Sequence, residues 1–127
     1  MGTRRTAIRG LAILLLVGGL SACTPEQIQA YFDITGQHHD VLSGEQLEEL
    51  RDCESGDDYT AIGGGGRYRG AYQFSRSTWD GVAERWYPWL EGIDPAEADP
   101  WWQDAQARAL WAERGAQPWP HCGARVG

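Results

Sequence analysis

Cysteine is the residue type that most constrains this chain of 127 residues, because there are only three: Cys23, Cys53 and Cys122. A chain of this length has room for one small domain, and small domains outside the cytoplasm often depend on disulfides for stability. In an oxidising compartment, two of the three cysteines are expected to pair. Which two depends on the N-terminal segment.

The first 22 residues have the composition of a secretory signal. Arg4, Arg5 and Arg9 lie in a stretch without acidic residues, and residues 11–20 are apolar or glycine throughout. An apolar run of ten residues is too short to cross a bilayer as a helix, which needs about 20. The sequence predicts that residues 1–22 are a signal peptide and that the mature protein works outside the cytoplasm.

The end of this segment, Leu20-Ser21-Ala22-Cys23, resembles the lipobox of bacterial lipoproteins. The resemblance implies that Cys23 is acylated, becomes the first mature residue and holds the protein at the outer face of the cell membrane. The alternative is ordinary cleavage near Ala22, which would leave Cys23 as a free thiol.

With the first cysteine lipidated, Cys53 and Cys122 remain as the disulfide pair. Closing so long a loop would stabilise the fold by about 4 kcal/mol in the chain-entropy model. The competing interpretation is a zinc site made by these two cysteines, His121 and either His38 or His39. No C-x-x-C or H-x-x-x-H spacing supports it, and adjacent residues seldom both bind one tetrahedral ion. We expect a disulfide, no metal and no cofactor.

The charge balance argues against two classes of partner. The chain has 11 basic and 18 acidic residues, a formal charge of −7, and beyond residue 22 the balance is 8 to 18, or −10. Every basic residue is arginine, and no basic stripe is visible. Because like charges repel, we expect no binding to nucleic acid or to an anionic membrane face.

Capping and turn signals divide the mature chain into a tether, residues 23–43, and a domain, residues 44–127. Thr24-Pro25 predicts a helix of one or two turns, and the polar residues 35–43 predict a loop. Helix starts in or at the edge of the domain are predicted at Ser43, Ser77, Asp94 and Asp99. The helix from Asp99 is expected to be the longest and to end at Gly115. With a little β-structure around residues 60–74, the fold class is α+β and mostly α.

Four motifs follow one another in the domain: Cys53-Glu54-Ser55-Gly56, Gly70-Ala71-Tyr72-Gln73-Phe74, Ser77-Thr78-Trp79 and Pro118-Trp119-Pro120-His121-Cys122. Together they resemble the resuscitation-promoting-factor type of transglycosylase-like domain, a small relative of lysozyme. The resemblance covers about residues 47–123 and implies a lysozyme-like domain closed by one disulfide. It also implies cleavage of the peptidoglycan backbone, with Glu54 as the catalytic acid and with Gln73 and Thr78 lining the glycan groove.

Glu54 has the chemistry that this activity requires. Glycosidic cleavage delivers a proton to the leaving oxygen, so a carboxyl group must stay protonated near neutral pH in an apolar setting. The plain alternative is a solvated glutamate at a helix end. Tyr68 and Tyr72 are the aromatic residues that we expect to contact sugar. Arg67 and Arg69 are candidates for contacts with carboxylates of the substrate, or solvated loop residues.

A second carboxylate would decide the type of reaction. Hydrolysis by the usual scheme needs a partner at about 5 Å for retention or about 6.5–9.5 Å for inversion. Asp57, Asp58 and Asp80 are near Glu54 in sequence, but none falls in a motif as its partner, and the family commonly has glycine where Asp57 stands. A single acid fits a lytic transglycosylase, in which the same glutamate later takes a proton from the sugar's 6-hydroxyl.

The sequence thus predicts a peptidoglycan lytic transglycosylase acting between N-acetylmuramic acid and N-acetylglucosamine. One alternative is a muramidase-type hydrolase at the same site, and the other is a non-catalytic lipoprotein that binds the cell wall. The expected partners are peptidoglycan glycan strands, the membrane through a lipid on Cys23, and a partner endopeptidase.

Overall fold

The computed structural model of the protein describes residues 23–35 and 37–126, so the predicted signal peptide lies outside the described residues. The chain divides into two units, residues 1–33 and 34–127. Among the described residues, no helix has the length and apolar character needed to cross a membrane.

Helix α1, Pro25–Thr35, begins where the sequence predicted. The Thr24 hydroxyl accepts a hydrogen bond from the Gln27 backbone N–H (3.2 Å), and the Gln27 side chain accepts one from Thr24 (2.9 Å), so both cap the helix. Its 11 residues make about three turns rather than one or two, because no glycine or proline follows Pro25 within it.

The second unit is mostly helical, as predicted. Its helices are α2 (Gly44–Ser55), α3 (Arg76–Trp86) and α4 (Pro100–Arg114). Its strands, β1 (Ile62–Gly63) and β2 (Tyr68–Arg69), pair antiparallel with Gly63 opposite Tyr68. Short 3-10 turns lie at Gly64–Gly66, Pro88–Leu90 and Gly123–Arg125.

Local capping explains where α2 and α4 begin and end. Ser43 and Gln46 form the predicted capping box at the start of α2, and Gly56 ends that helix in the left-handed conformation (φ 68°). Asp99 caps α4, which is the longest helix among the described residues and stops at Gly115. These predictions are confirmed.

Two predicted helix starts are wrong. The cap of α3 is Ser75, whose hydroxyl accepts a hydrogen bond from the Thr78 backbone N–H (3.2 Å), so the helix begins before Ser77. Asp94 starts only a turn. A residue that precedes a proline disfavours helical backbone geometry. Asp99 precedes Pro100, so too few residues lie between Asp94 and Asp99 for a separate helix.

Residues 37–42, which we expected to belong to the tether, form turns. Leu42 is buried at 2% exposure, and its carbonyl accepts a hydrogen bond from Arg108 of α4 (3.0 Å). The His38 ring meets Trp86 of α3 edge-on, with centroids 4.5 Å apart. No local pattern in the sequence indicates these contacts.

Aromatic side chains make up much of the core of this unit. Phe74 packs edge-on against both Trp79 and Trp119, at centroid distances of 5.3 and 6.2 Å. Each buried indole N–H donates to a backbone carbonyl, that of Leu90 for Trp79 and that of Tyr72 for Trp119. These large rings, whose indole N–H groups are hydrogen-bonded, supply much of the buried apolar area of a core that has few aliphatic residues.

Cys53 and Cys122 form the predicted disulfide, with their Cα atoms 5.7 Å apart and 69 positions between them in sequence. The bond joins the last turn of α2 to the C-terminal segment. With both sulfurs in this bond, the zinc alternative does not apply.

Replacing both Cys53 and Cys122 by serine is expected to lower the free energy of unfolding by about 4 kcal/mol, because the unfolded chain regains the entropy of an open loop. Urea denaturation of the oxidised protein measures this. Cys23→Ser removes the free thiol and serves as the control, with no change expected. A loss below about 1 kcal/mol in the double variant would show that the disulfide does not stabilise the domain by closing this loop.

Candidate active site

Glu54 lies in the last turn of α2, next to the disulfide, and its side chain is half-buried. It lines a cavity of about 300 Å³. The other residues of the wall are Tyr68, Gln73, Pro118, Trp119, Pro120 and His121. The disulfide and the helix end therefore place one carboxyl group against a largely apolar and aromatic wall.

Burial raises the pKa of Glu54, and the nearby His121 offsets part of that rise. Within the described part of the chain, no side chain donates a hydrogen bond to the Glu54 carboxylate. A carboxyl group that is partly desolvated and has no fixed donor favours its protonated form and can offer that proton to a ligand.

A larger cavity of about 620 Å³ adjoins the first. The two lie side by side, because their walls share the residues Tyr68, Gln73, Pro118, Trp119 and Pro120, and we call them together the groove. Tyr68, 41% exposed, stands at the junction. The wide part extends from there to Thr78, Arg67 and Arg114.

Gln73 is held in an unusual backbone conformation, with φ at +54°. Its side-chain amide donates to the carbonyl of Gly70 (3.0 Å). A Cβ atom on Gly63 would overlap the end of the Gln73 side chain, which would then have to move. Glycine at position 63 therefore leaves room for the position that the Gln73 side chain takes.

Thr78 is on the wall of the wide part of the groove, where its hydroxyl accepts a hydrogen bond from Ser75 (2.9 Å). Glu54, Gln73, Thr78 and Tyr68 thus all line one or both of these adjoining cavities, and their roles toward a substrate stay predictions.

Tyr72 and Arg69 are placed differently. Tyr72 lines the groove, but its side chain is only 1% exposed and its hydroxyl donates to Asp104. It supports the groove from beneath, and its contact with sugar stays a prediction. Arg69 makes two hydrogen bonds of 2.6 Å to Asp94 and does not line either cavity, whereas Arg67 does.

The three aspartates near Glu54 in sequence are engaged elsewhere. Asp57 pairs with an arginine of α2, Asp58 accepts from a backbone N–H at 2.9 Å, and Asp80 accepts from a backbone N–H after α3 at 2.8 Å. Among the described residues, Glu54 is the one acidic side chain on the walls of the groove.

Asp104 of α4 is a positioning residue that the sequence analysis missed. Its carboxylate accepts hydrogen bonds from the hydroxyls of Tyr59 (2.9 Å) and Tyr72 and from the guanidinium of Arg51 (3.3 Å). Arg51 precedes Glu54 by one helical turn, so this network ties the end of α2 that carries Glu54 to α4. A lone aspartate in mid-helix carries no local signal for such a role.

A family model described as "Transglycosylase-like domain" matches residues 43–122, which are 80 of the 127 residues. A probable transglycosylase SceD of Staphylococcus haemolyticus is 42% identical over 73 residues, covering 58% of this chain and 30% of that protein. A SceD of Staphylococcus aureus is 37% identical over 79 residues, covering 62% of this chain and 33% of that protein. The match thus spans about a third of these relatives' length.

Glu54→Gln is expected to increase the free energy of unfolding at pH 7 and to change it little near pH 3. Folding raises the pKa of Glu54 above 4.5, its value in an unfolded chain. The stability that the protonated form adds is therefore complete below that value and is lost as the pH rises through the folded-state pKa. At pH 7 the ionised, half-buried carboxylate is thus less favourable than a neutral amide of the same shape.

Urea unfolding at the two pH values measures this difference. Glu84→Gln, at an exposed position of α3, is the matched control and should change stability equally little at both. An equal effect of Glu54→Gln at both pH values would contradict the raised pKa.

Proposed function

The chain belongs to the transglycosylase-like domain family, and from that premise we propose that it is a lytic transglycosylase of peptidoglycan. The bond cleaved is the one between N-acetylmuramic acid and N-acetylglucosamine. Glu54 acts in turn as the acid and the base.

The reaction has two proton transfers at the same carboxyl group. Protonated Glu54 gives its proton to the glycosidic oxygen as the bond from that oxygen to C1 of the muramic acid breaks, which releases the N-acetylglucosamine end with a new hydroxyl. The Glu54 carboxylate then takes the proton of the muramic acid 6-hydroxyl while the oxygen of that hydroxyl bonds to C1 of the same sugar. The product is a 1,6-anhydro sugar, Glu54 is protonated again, and no water is consumed.

One observation carries this choice of mechanism. The groove walls, so far as the described residues form them, hold a single acidic side chain, and that side chain is half-buried with a raised pKa. A hydrolase of the usual kind would need a second carboxylate to activate water or to attack the sugar. The aspartates that could serve are bound to other groups.

Gln73, Thr78 and Tyr68 are proposed to orient the sugars. Gln73 has the constrained backbone and side chain that a fixed hydrogen-bonding group needs, and Thr78 presents a hydroxyl held by Ser75. The exposed ring of Tyr68, at the junction of the two cavities, offers an apolar face to a pyranose ring.

Mass spectrometry of the fragments released from purified peptidoglycan tests the proposal. The wild type is expected to release anhydro-ended fragments, lighter by one water than hydrolytic products. Glu54→Gln should reduce release about a hundredfold or more, because it removes the transferable proton. Glu84→Gln, the same chemical change outside the groove, should leave release unchanged.

Other outcomes assign the site differently. Fragments with reducing ends would make the protein a muramidase-type hydrolase. Binding without release, equal in the wild type and Glu54→Gln, would make it a non-catalytic wall-binding protein.

We infer separately that Cys23 anchors the protein to the membrane through lipid. Cys23 is a free, exposed cysteine directly before the cap of α1, and the residues preceding it resemble a lipobox. Growth with a labelled fatty acid is expected to label the wild type and not Cys23→Ser, because the substitution removes the sulfur that takes the acyl chain. Thr24→Ser, which keeps the helix cap, is the control and should be labelled; no label on the wild type would refute the anchor.

A further inference from the structure

We propose that the wide part of the groove binds carboxylate groups carried by the glycan strand, through Arg67 and Arg114. This inference rests on the proposed glycan substrate and names what the protein recognises on it beyond the sugar rings.

The charge on the wall of the wide cavity is opposite to that of the whole chain. The chain has a formal charge of −7, yet the wall of this cavity of about 620 Å³ carries Arg67 and Arg114 and, among the described residues, no acidic side chain. The neutral polar residues there include Ser77 and Gln117. An acid-free cationic pocket on an acidic protein concentrates anionic groups locally.

The guanidinium groups of Arg67 and Arg114 are also available to bind a ligand. Four other arginines donate to carboxylates: Arg51, Arg69, Arg76 and Arg85. Arg67 and Arg114 are exposed and make no side-chain hydrogen bond or ion pair within the part of the chain that the structure describes. Their donors can therefore form charge-assisted, two-point hydrogen bonds to a carboxylate of a ligand.

The N-acetylated sugar rings of a glycan strand are uncharged, so the carboxylates must come from their substituents. Two sources share this chemistry. One is the peptide stem, which carries several carboxylates; the other is the lactyl group of muramic acid, which is free only where the stem has been removed. Recognition by Arg67 and Arg114 would favour substituted peptidoglycan strands over uncharged glycans with the same backbone.

Binding of the purified full chain to cell-wall preparations tests this without cleavage. Glu54→Gln is the parent protein, so that the substrate is not consumed. Three preparations are compared: intact sacculi, strands whose peptide stems have been removed by an amidase, and sacculi whose carboxyl groups have been converted to amides. The test variant adds Arg67→Gln and Arg114→Gln, and the control adds Arg125→Gln, an exposed arginine outside both cavities.

The double variant is expected to bind intact sacculi about tenfold more weakly than the parent, and this difference should disappear on amidated sacculi. Arg125→Gln should bind like the parent, and lysine at both positions should restore part of the affinity. A difference found on intact sacculi and lost on the stripped strands assigns the stem, and one found only on the stripped strands assigns the lactyl carboxylate, which is free there.

Two results would overturn the inference: the double variant binding both intact sacculi and stripped strands as tightly as the parent, or losing the same factor on amidated sacculi. Because this assay measures binding alone, it is independent of fragment release. A protein that prefers carboxylate-bearing walls but releases nothing would disprove the proposed activity and leave this inference standing.

Discussion

The candidate site depends on the hydrogen bonds that the carboxylate of Asp104 accepts. It accepts hydrogen bonds from Tyr59, Tyr72 and Arg51, which come from a loop, the floor of the groove and α2. A partly buried carboxylate with several donors is stable in place, and removing it would leave those donors unsatisfied. Together with the disulfide at Cys53, two residues after Arg51 in α2, it leaves the end of that helix little freedom.

The raised pKa of Glu54 depends on the helix end being held in a position where this side chain is half-buried. Its side chain is half-buried and has no fixed donor among the described residues, an arrangement that disfavours the charged form and therefore opposes folding at neutral pH. The disulfide next to it and the Arg51–Asp104 pair offset that penalty.

The sequence by itself determined the features whose causes lie close together in the chain. The caps of α2 and α4 each depend on residues within one helical turn, and their predicted starts at Ser43 and Asp99 are confirmed. The pairing of Cys53 with Cys122 was predicted from the count of three cysteines together with the lipobox resemblance at Cys23, and it is confirmed. The predicted start at Ser77 was wrong by one or two residues, because the hydroxyl that caps α3 is that of Ser75.

Only the tertiary structure decided which distant residues meet. Asp104 is 45 to 53 positions from two of the groups that it binds, so no local pattern could identify it. The sequence analysis expected Tyr72 to contact sugar in the groove, yet folding buries its ring beneath the groove. Arg67 and Arg114 come to one cavity from a loop and a helix end. Side-chain environment is a property of the packed chain, because burial and charge depend on neighbours that the fold supplies.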